Sequence, residues 1–407
     1  MVLRDRNHPS VFMWSIGNEV FERKKPEAVE IAKMMVAAIK KTDPDRPVTS
    51  AMTTWDEDWE IFDPLMVAHD VCGYNYQLHR ATSDHKRVPS RIIVHTESYP
   101  RDAFQNWELV NDNQYIIGDF VWTAMDYLGE SSIGRWYYSG DVPGEHWEND
   151  FFPWHGAYCG DIDLIGWRKP VSHYRSMLYN SSRKLYMAVR EPEPAPLAIK
   201  ETMWSVWPTW ESWTWPGFEG RDIQVEVYSN YPKVRLFLNN KLIGEKETTR
   251  GQKFKATFSV PYAPGLLKAV AVENDREMET TILQTSGEAA ILKLTADRHD
   301  IQADGQDLSF VTIEITDKNG ITLPNATNRL HFTIDGPGVI AGVDNADIKD
   351  TDPYAGNTRK AWKGRALVVI KSTRDAGEIR LTVSSPGMAN AILNIKTDPV
   401  SFNITDF

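Results

Sequence analysis

The sequence predicts a multidomain chain in which part of a (β/α)8 TIM barrel is followed by two β-sandwiches, and three observations carry that prediction. Over residues 1–190, short apolar runs alternate with helical periodicity, the mark of parallel strands joined by crossovers. Glu191-Pro192-Glu193-Pro194-Ala195-Pro196 then interrupts the pattern as a proline-punctuated linker. Beyond it come apolar-polar alternations with a period of two, separated by turn signals, which read as antiparallel strands.

The barrel elements follow in order. Residues 11–16 are short and apolar and come after His8-Pro9-Ser10, so they read as a buried parallel strand with Glu19 at its exit. Residues 26–41 carry Val29, Ala32, Met35, Val36 and Ile39 at helical spacing, with Pro26 at the start and Asp43-Pro44 at the stop. Residues 46–51, 69–76, 91–96 and 115–123 are the next strands, and Glu97 stands at the exit of the fourth. Barrel enzymes place their chemistry at such exits. Taken singly, either glutamate also reads as a solvated loop or helix-start charge. A closed barrel needs eight strands, and about five are here, so the chain is expected to be the C-terminal part of something longer.

Strands at residues 223–228, 234–238 and 266–272 build the first sandwich, and those at 291–296, 310–315, 330–334, 366–370 and 379–383 build the second. The expected boundaries are 1–190 for the barrel part, 191–286 for a β-sandwich and 287–397 for an immunoglobulin-like β-sandwich. Residues 398–407 are a tail, and a further strand could begin within 397–407.

Composition narrows the function. A formal net charge of -11 and the lack of a basic stripe interleaved with aromatics disfavour nucleic acid and anionic membranes as partners. Of the fifteen tryptophans most fall before Trp167, and a further knot occupies Trp204, Trp207, Trp210, Trp213 and Trp215. An indole face suits the C–H face of a sugar ring, and ordinary core packing is the competing reading. Cys72 and Cys159 are the only cysteines, without metal or redox spacing, so no metal and no cofactor is expected. The N-terminus has no apolar stretch of signal-peptide type, and no segment is long enough to span a membrane.

One long run narrows it further. Arg4-Asp5-Arg6-Asn7-His8-Pro9-Ser10-Val11-Phe12-Met13-Trp14-Ser15-Ile16-Gly17-Asn18-Glu19 resembles the acid/base signature of glycoside hydrolase family 2, the β-galactosidase, β-glucuronidase and β-mannosidase family. Thr96-Glu97 and Gly118-Asp119-Phe120-Val121-Trp122 resemble its nucleophile strand and final barrel strand. Trp154-His155-Gly156-Ala157-Tyr158-Cys159-Gly160-Asp161 and Gly166-Trp167-Arg168-Lys169-Pro170 resemble family 2 β-galactosidases that carry extra C-terminal sandwiches, as do Trp213-Thr214-Trp215-Pro216-Gly217 and Leu236-Phe237-Leu238-Asn239. The family's jelly-roll domain, its immunoglobulin-like domain and barrel strands one to three have no counterpart here.

The resemblance implies that the strands are numbers four to eight of the barrel, with Glu19 as general acid/base and Glu97 as nucleophile. Retaining hydrolysis needs such a pair, roughly 5 Å apart, one carboxyl able to protonate and the other ionised. It also implies that Tyr76 hydrogen-bonds the nucleophile, that Asn18 grips the sugar 2-hydroxyl and that Trp122 floors the ring, with barrel packing as the other reading of Tyr76 and Trp122. His95 and His155 are weaker candidates beside a structural role. Asp119 and Asp126 read as structural.

No Asn-x-Lys element of the kind that binds a glucuronate carboxylate follows Trp122, so a neutral sugar is expected, galactose first. The implied activity is that of a retaining exo-β-glycosidase acting on terminal β-D-galactosyl residues. A β-mannosidase is the runner-up within the family. A truncated, inactive chain serving as a carbohydrate-binding or interaction module is the alternative from another class. The family implies a periplasmic or secreted parent protein and leaves a homo-oligomer open.

Overall fold

The computed structural model describes residues 1–55, 58–180 and 182–400. Two compact units emerge. The first contains Met1–Ala124 with Met203–Ser205, and the second contains Met125–Thr202 with the described residues from Val206 onward.

In the first unit the order is α1 (Val2–Asp5), β1 (Trp14–Asn18), α2 (Pro26–Lys40), β2 (Val48–Met52), α3 (Asp63–Met66), β3 (Cys72–Asn75), α4 (Ala81–Arg87), β4 (Ile93–Ser98), α5 (Ala103–Asp112) and β5 (Ile116–Val121). The strands pair in chain order and every pairing is parallel. Helical crossovers bring each strand back in the direction of the last. Every residue of β2 and of β3 is buried, which is what strands covered on both faces require. Met52, Phe62, Tyr74, Leu78, Ile93 and Ile116 pack together as the core. Gly73 is obligatory in this sheet, because a Cβ there would lie 2.5 Å from the Ser50 carbonyl oxygen and 2.8 Å from the Thr96 methyl.

The strands are trimmed or shifted by a few residues from the sequence expectation, and two of these shifts bear on the site. β1 starts at Trp14, since the Val11 N–H is taken by the His8 carbonyl in a turn at 3.1 Å. β4 runs on to Ser98, which places Glu97 inside the strand's last residues, one step earlier than an exit loop.

The second unit opens with two small pairs, β6 (Tyr127–Leu128) with β8 (Gly156–Ala157) and β7 (Trp136–Tyr138) with β10 (Ile199–Glu201). Helix α6 (Pro170–Tyr179) leads into β9 (Leu185–Arg190). With β11 (Thr209–Trp210), β12 (Asp222–Ser229) and β15 (Lys255–Pro261), β9 forms a sheet ordered β11-β9-β12-β15. A second sheet has β13 (Lys233–Leu238), β14 (Lys241–Glu247), β16 (Leu266–Glu273) and β17 (Arg276–Gln284) in the order β14-β13-β16-β17. Val225 and Phe258 of the first sheet, Leu236 and Leu267 of the second and Trp213 from the segment after β11 share one core.

The remaining strands are β18 (Ile291–Ala296), β19 (Asp300–Gln302), β20 (Leu308–Thr316), β21 (Arg329–Asp335), β22 (Gly338–Asp344), β23 (Thr358–Lys360), β24 (Arg365–Ser372), β25 (Gly377–Ser384) and β26 (Ala391–Asp398). They form sheets ordered β18-β20-β24-β22 and β19-β26-β25-β21-β23 around Val311, Phe332, Val368, Leu381 and Ile395. The further strand considered within 397–407 falls mostly outside the described residues.

Both cysteines are free and buried, and burial pushes each thiol up to about 12. Among the described residues no cluster of His, Cys, Asp and Glu is placed to hold a metal ion, and no helix is long and apolar enough to cross a membrane.

Candidate active site

Glu19 and Glu97 lie at the same end of the parallel sheet, where β1 and β4 finish. Four local irregularities aim the chain there. Register slips between Ser15 and Asn18 on β1, and again at Asn75, which pairs with Glu97 where regular pairing would give Thr96. Such bulges re-aim side chains beside functional sites. Glu19 and Tyr76, each immediately after its strand, take left-handed backbone angles with φ of 47° and 59°. Side chains with a Cβ occupy that region only when surrounding contacts impose it. Here the Glu19 N–H donates to the Ala51 carbonyl at 3.0 Å and the Tyr76 N–H to the Glu97 carbonyl at 2.8 Å.

Two consecutive residues at the end of β3 hold both carboxylates. The Asn75 amide donates to Glu19 Oε1 at 2.8 Å and to Asn18 Oδ1 at 3.0 Å, while its own oxygen accepts the Thr96 hydroxyl at 2.6 Å. Asn75 is fully buried, so each of its polar atoms needs these partners. The next residue, Tyr76, donates its phenol to Glu97 Oε2 at 2.7 Å. Burial, then the negative charge of Glu97, raises the Tyr76 phenol well above its ordinary value, which keeps the proton on the phenol oxygen and the bond directed at Glu97.

Aromatic rings box Tyr76 in. Tyr99 stacks on it at 4.5 Å and Trp55 at 6.2 Å, and Trp204 meets it edge-on at 5.7 Å. The Trp204 indole N–H donates to the Tyr76 hydroxyl at 3.0 Å.

The other sequence candidates fall as follows. Asn18 is exposed at the end of β1, beside Glu19. Trp122 is half-buried just past β5, its backbone N–H donating to the Ser98 carbonyl at 2.9 Å. His95 is buried on β4 with Nδ1 2.9 Å from Asp119 Oδ1 on the neighbouring strand. His155 lies in the second unit, bonded to the Tyr354 hydroxyl and the Pro153 carbonyl. Asp126, also in the second unit, is buried against Lys169 Nζ at 2.7 Å.

Sequence reasoning missed Asn75 and Trp204. Asn75 could have been suspected from its place beside Tyr76 at a strand end. Trp204 sits 128 positions from its partner, and nothing local separates it from Trp210, Trp213 and Trp215, which are buried in the sandwich core.

Residues 1–133 match the glycosyl hydrolases family 2 TIM barrel domain, residues 292–394 match glycoside hydrolase family 2 C-terminal domain 5, and residues 220–279 match a domain of unknown function. A β-galactosidase of Bacteroides ovatus is 28% identical over 98% of the chain and 50% of its own length. A β-glucuronidase of Formosa agariphila is 26% identical over 99% of the chain and 39% of its own length. A crystal structure of a glycosyl hydrolase family 2 member from Bacteroides cellulosilyticus superposes with a TM-score of 0.90 at 39% identity, covering 98% of the chain and 51% of that protein. The chain thus spans about half the length of the relatives it matches. With a family 2 barrel domain at one end, a family 2 C-terminal domain at the other and relatives of that family along almost its whole length, the chain belongs to glycoside hydrolase family 2.

Proposed function

We propose that the chain carries the catalytic pair of a retaining exo-β-glycosidase, with Glu19 as acid/base and Glu97 as nucleophile, and that its substrate is a terminal β-D-galactoside. The observation that carries the reading is the clip formed by Asn75 and Tyr76, adjacent residues that hydrogen-bond one glutamate each. β1 to β5 then stand as five consecutive strands of a barrel, numbers four to eight, and the C-terminal strands as two immunoglobulin-like sandwiches.

The chemistry follows from the side chains. Glu97 attacks the anomeric carbon as a carboxylate while Glu19 gives its proton to the departing glycosidic oxygen, which leaves a glycosyl ester on Glu97. Glu19, now ionised, takes a proton from water as that water attacks the same carbon, and Glu97 is released. Tyr76 donates to the oxygen of Glu97 that carries charge before attack and after release. Asn18 is placed beside Glu19 to meet the sugar 2-hydroxyl, and Trp122 lies past the last strand as the ring's floor. A relative named β-galactosidase supports galactose, and the lack of an Asn-x-Lys element after Trp122 argues against a glucuronate carboxylate.

The test is a panel of aryl β-glycosides with wild type and Glu97→Gln, together with mass mapping of a 2-deoxy-2-fluoro glycoside adduct. Preferential turnover of the galactoside, loss of at least about 1,000-fold in Glu97→Gln and an adduct on the peptide holding Glu97 are expected. Preference for a mannoside would replace the substrate, and unchanged turnover in Glu97→Gln would end the mechanism. A second reading, an inert chain acting as a binding module, draws on the sheet itself, in which β1 and β5 each pair with one strand only among the described residues. It predicts a folded chain that binds sugar and turns over none of the panel.

A further inference from the structure

Trp204 belongs to a different part of the sequence from every other residue at the candidate site, yet Met203–Ser205 packs into the first unit while the residues on both sides of that segment belong to the second. The segment is tied down by Arg101, whose guanidinium donates to the Met203 carbonyl and lies over the Tyr99 ring at 5.5 Å to the centroid. Tyr99 in turn contacts the Trp204 ring edge-on at 5.4 Å. The indole is thereby fixed with its N–H 3.0 Å from the Tyr76 hydroxyl.

An indole N–H can only donate, and a phenol has one hydrogen and lone pairs that accept. The arrangement therefore runs one way: Trp204 donates to Tyr76, and the single phenolic hydrogen is left for Glu97 Oε2 at 2.7 Å. Donation into the phenol oxygen polarises its O–H, which strengthens the bond it makes to a carboxylate. We infer that Trp204 is a positioning residue for the nucleophile, acting through Tyr76, so that the segment after the proline-rich linker completes the catalytic site. This rests on the glycosidase reading above, because the benefit arises only if Glu97 must attack.

Trp204→Phe removes the N–H and keeps an aromatic ring, and Tyr76→Phe removes the hydroxyl on which the N–H acts. Comparison of Trp204→Phe in the wild-type and Tyr76→Phe backgrounds separates hydrogen bonding from packing. In the wild-type background kcat should fall about 5- to 10-fold, the worth of one hydrogen bond, with KM unchanged. The acid limb of the kcat/KM profile should move to higher pH, since a less polarised phenol stabilises the Glu97 carboxylate less. In the Tyr76→Phe background the same substitution should change neither. An equal loss in both backgrounds, an effect on thermal stability alone or no effect at all would overturn the inference.

A readout without turnover keeps the two readings apart. The Trp204 indole N–H resonance, assigned by its disappearance in Trp204→Phe, should move upfield in Tyr76→Phe as its hydrogen bond is lost, and an unmoved resonance would overturn the inference. A folded protein with a shifted resonance and no glycosidase activity would instead overturn the functional reading and, with it, the positioning role.

Discussion

Replacing Asn75 by aspartate perturbs the site sharply while changing almost no volume. The Asn75 amide nitrogen stands 2.8 Å from Glu19 Oε1 and 3.0 Å from Asn18 Oδ1, in a side chain with no exposure to solvent. In Asn75→Asp that donor becomes an oxygen, and two carboxyls face each other across one short contact. With charge centres about 4 Å apart and an effective dielectric near 20, the second ionisation of the pair costs about 4 kcal/mol. That is about 3 pKa units, so the pair keeps one proton until about pH 7, whereas an aspartate in the unfolded chain loses its proton near pH 3.9. A folded-state pKa above the unfolded value contributes stability in acid that is lost as pH rises, here between about pH 4 and pH 7.

Denaturant unfolding of wild type and Asn75→Asp at about pH 4.5 and about pH 8 measures the effect directly. Near pH 4.5 the two carboxyls share one proton, one still donates to the other, and the variant stays close to wild type. Near pH 8 the variant should be about 4 kcal/mol less stable than wild type. A deficit of the same size at both pH values would refute the reasoning, since it would mean that Asn75 and Glu19 do not share a hydrogen bond in solution.

Two further outcomes are expected. Burial raises the Asp163 carboxyl to about 7, although it accepts the N–H groups of Ile165 and Trp167 at 3.0 and 2.9 Å. That raised value makes the second unit lose stability as pH rises from the ordinary aspartate range toward 7, and Asp163→Asn, which keeps the acceptor and cannot ionise, should flatten the profile in calorimetry. Gly73→Ala should cost about 1–3 kcal/mol of stability, because the new methyl meets the Ser50 backbone, which the β2–β3 pairing holds in place. It also presses on Thr96, the donor to Asn75, so kcat should fall in a variant whose refolded sheet is otherwise intact, measured by thermal unfolding and aryl glycoside kinetics.

Local signals in this chain are strong where one strand or one helix decides them. The apolar runs around Val48, Tyr74 and Ile93 announce buried parallel strands, because a strand covered on both faces has no polar side to show. Pro26 and the spacing through Ile39 mark α2 to within one residue. The tryptophans are the opposite case. Trp204 and Trp213 share a texture, yet one donates to Tyr76 and the other is fully buried in a sandwich core with its N–H on the Ala263 carbonyl.

Glu19, Glu97 and Tyr76 stood out as candidates through the family 2 resemblance of the motifs around them, since a lone carboxylate after a strand also reads as a solvated charge. Their identity and order along the chain were determined by sequence alone. What joins them was decided only in three dimensions. A one-residue register slip opposite β4 and two left-handed residues turn Asn75 and Tyr76 toward different glutamates, and a tryptophan from beyond the linker closes over the phenol. The physical reason is that hydrogen bonds are directional and short, so they depend on backbone register and on approach of distant segments, neither of which leaves a period in the sequence.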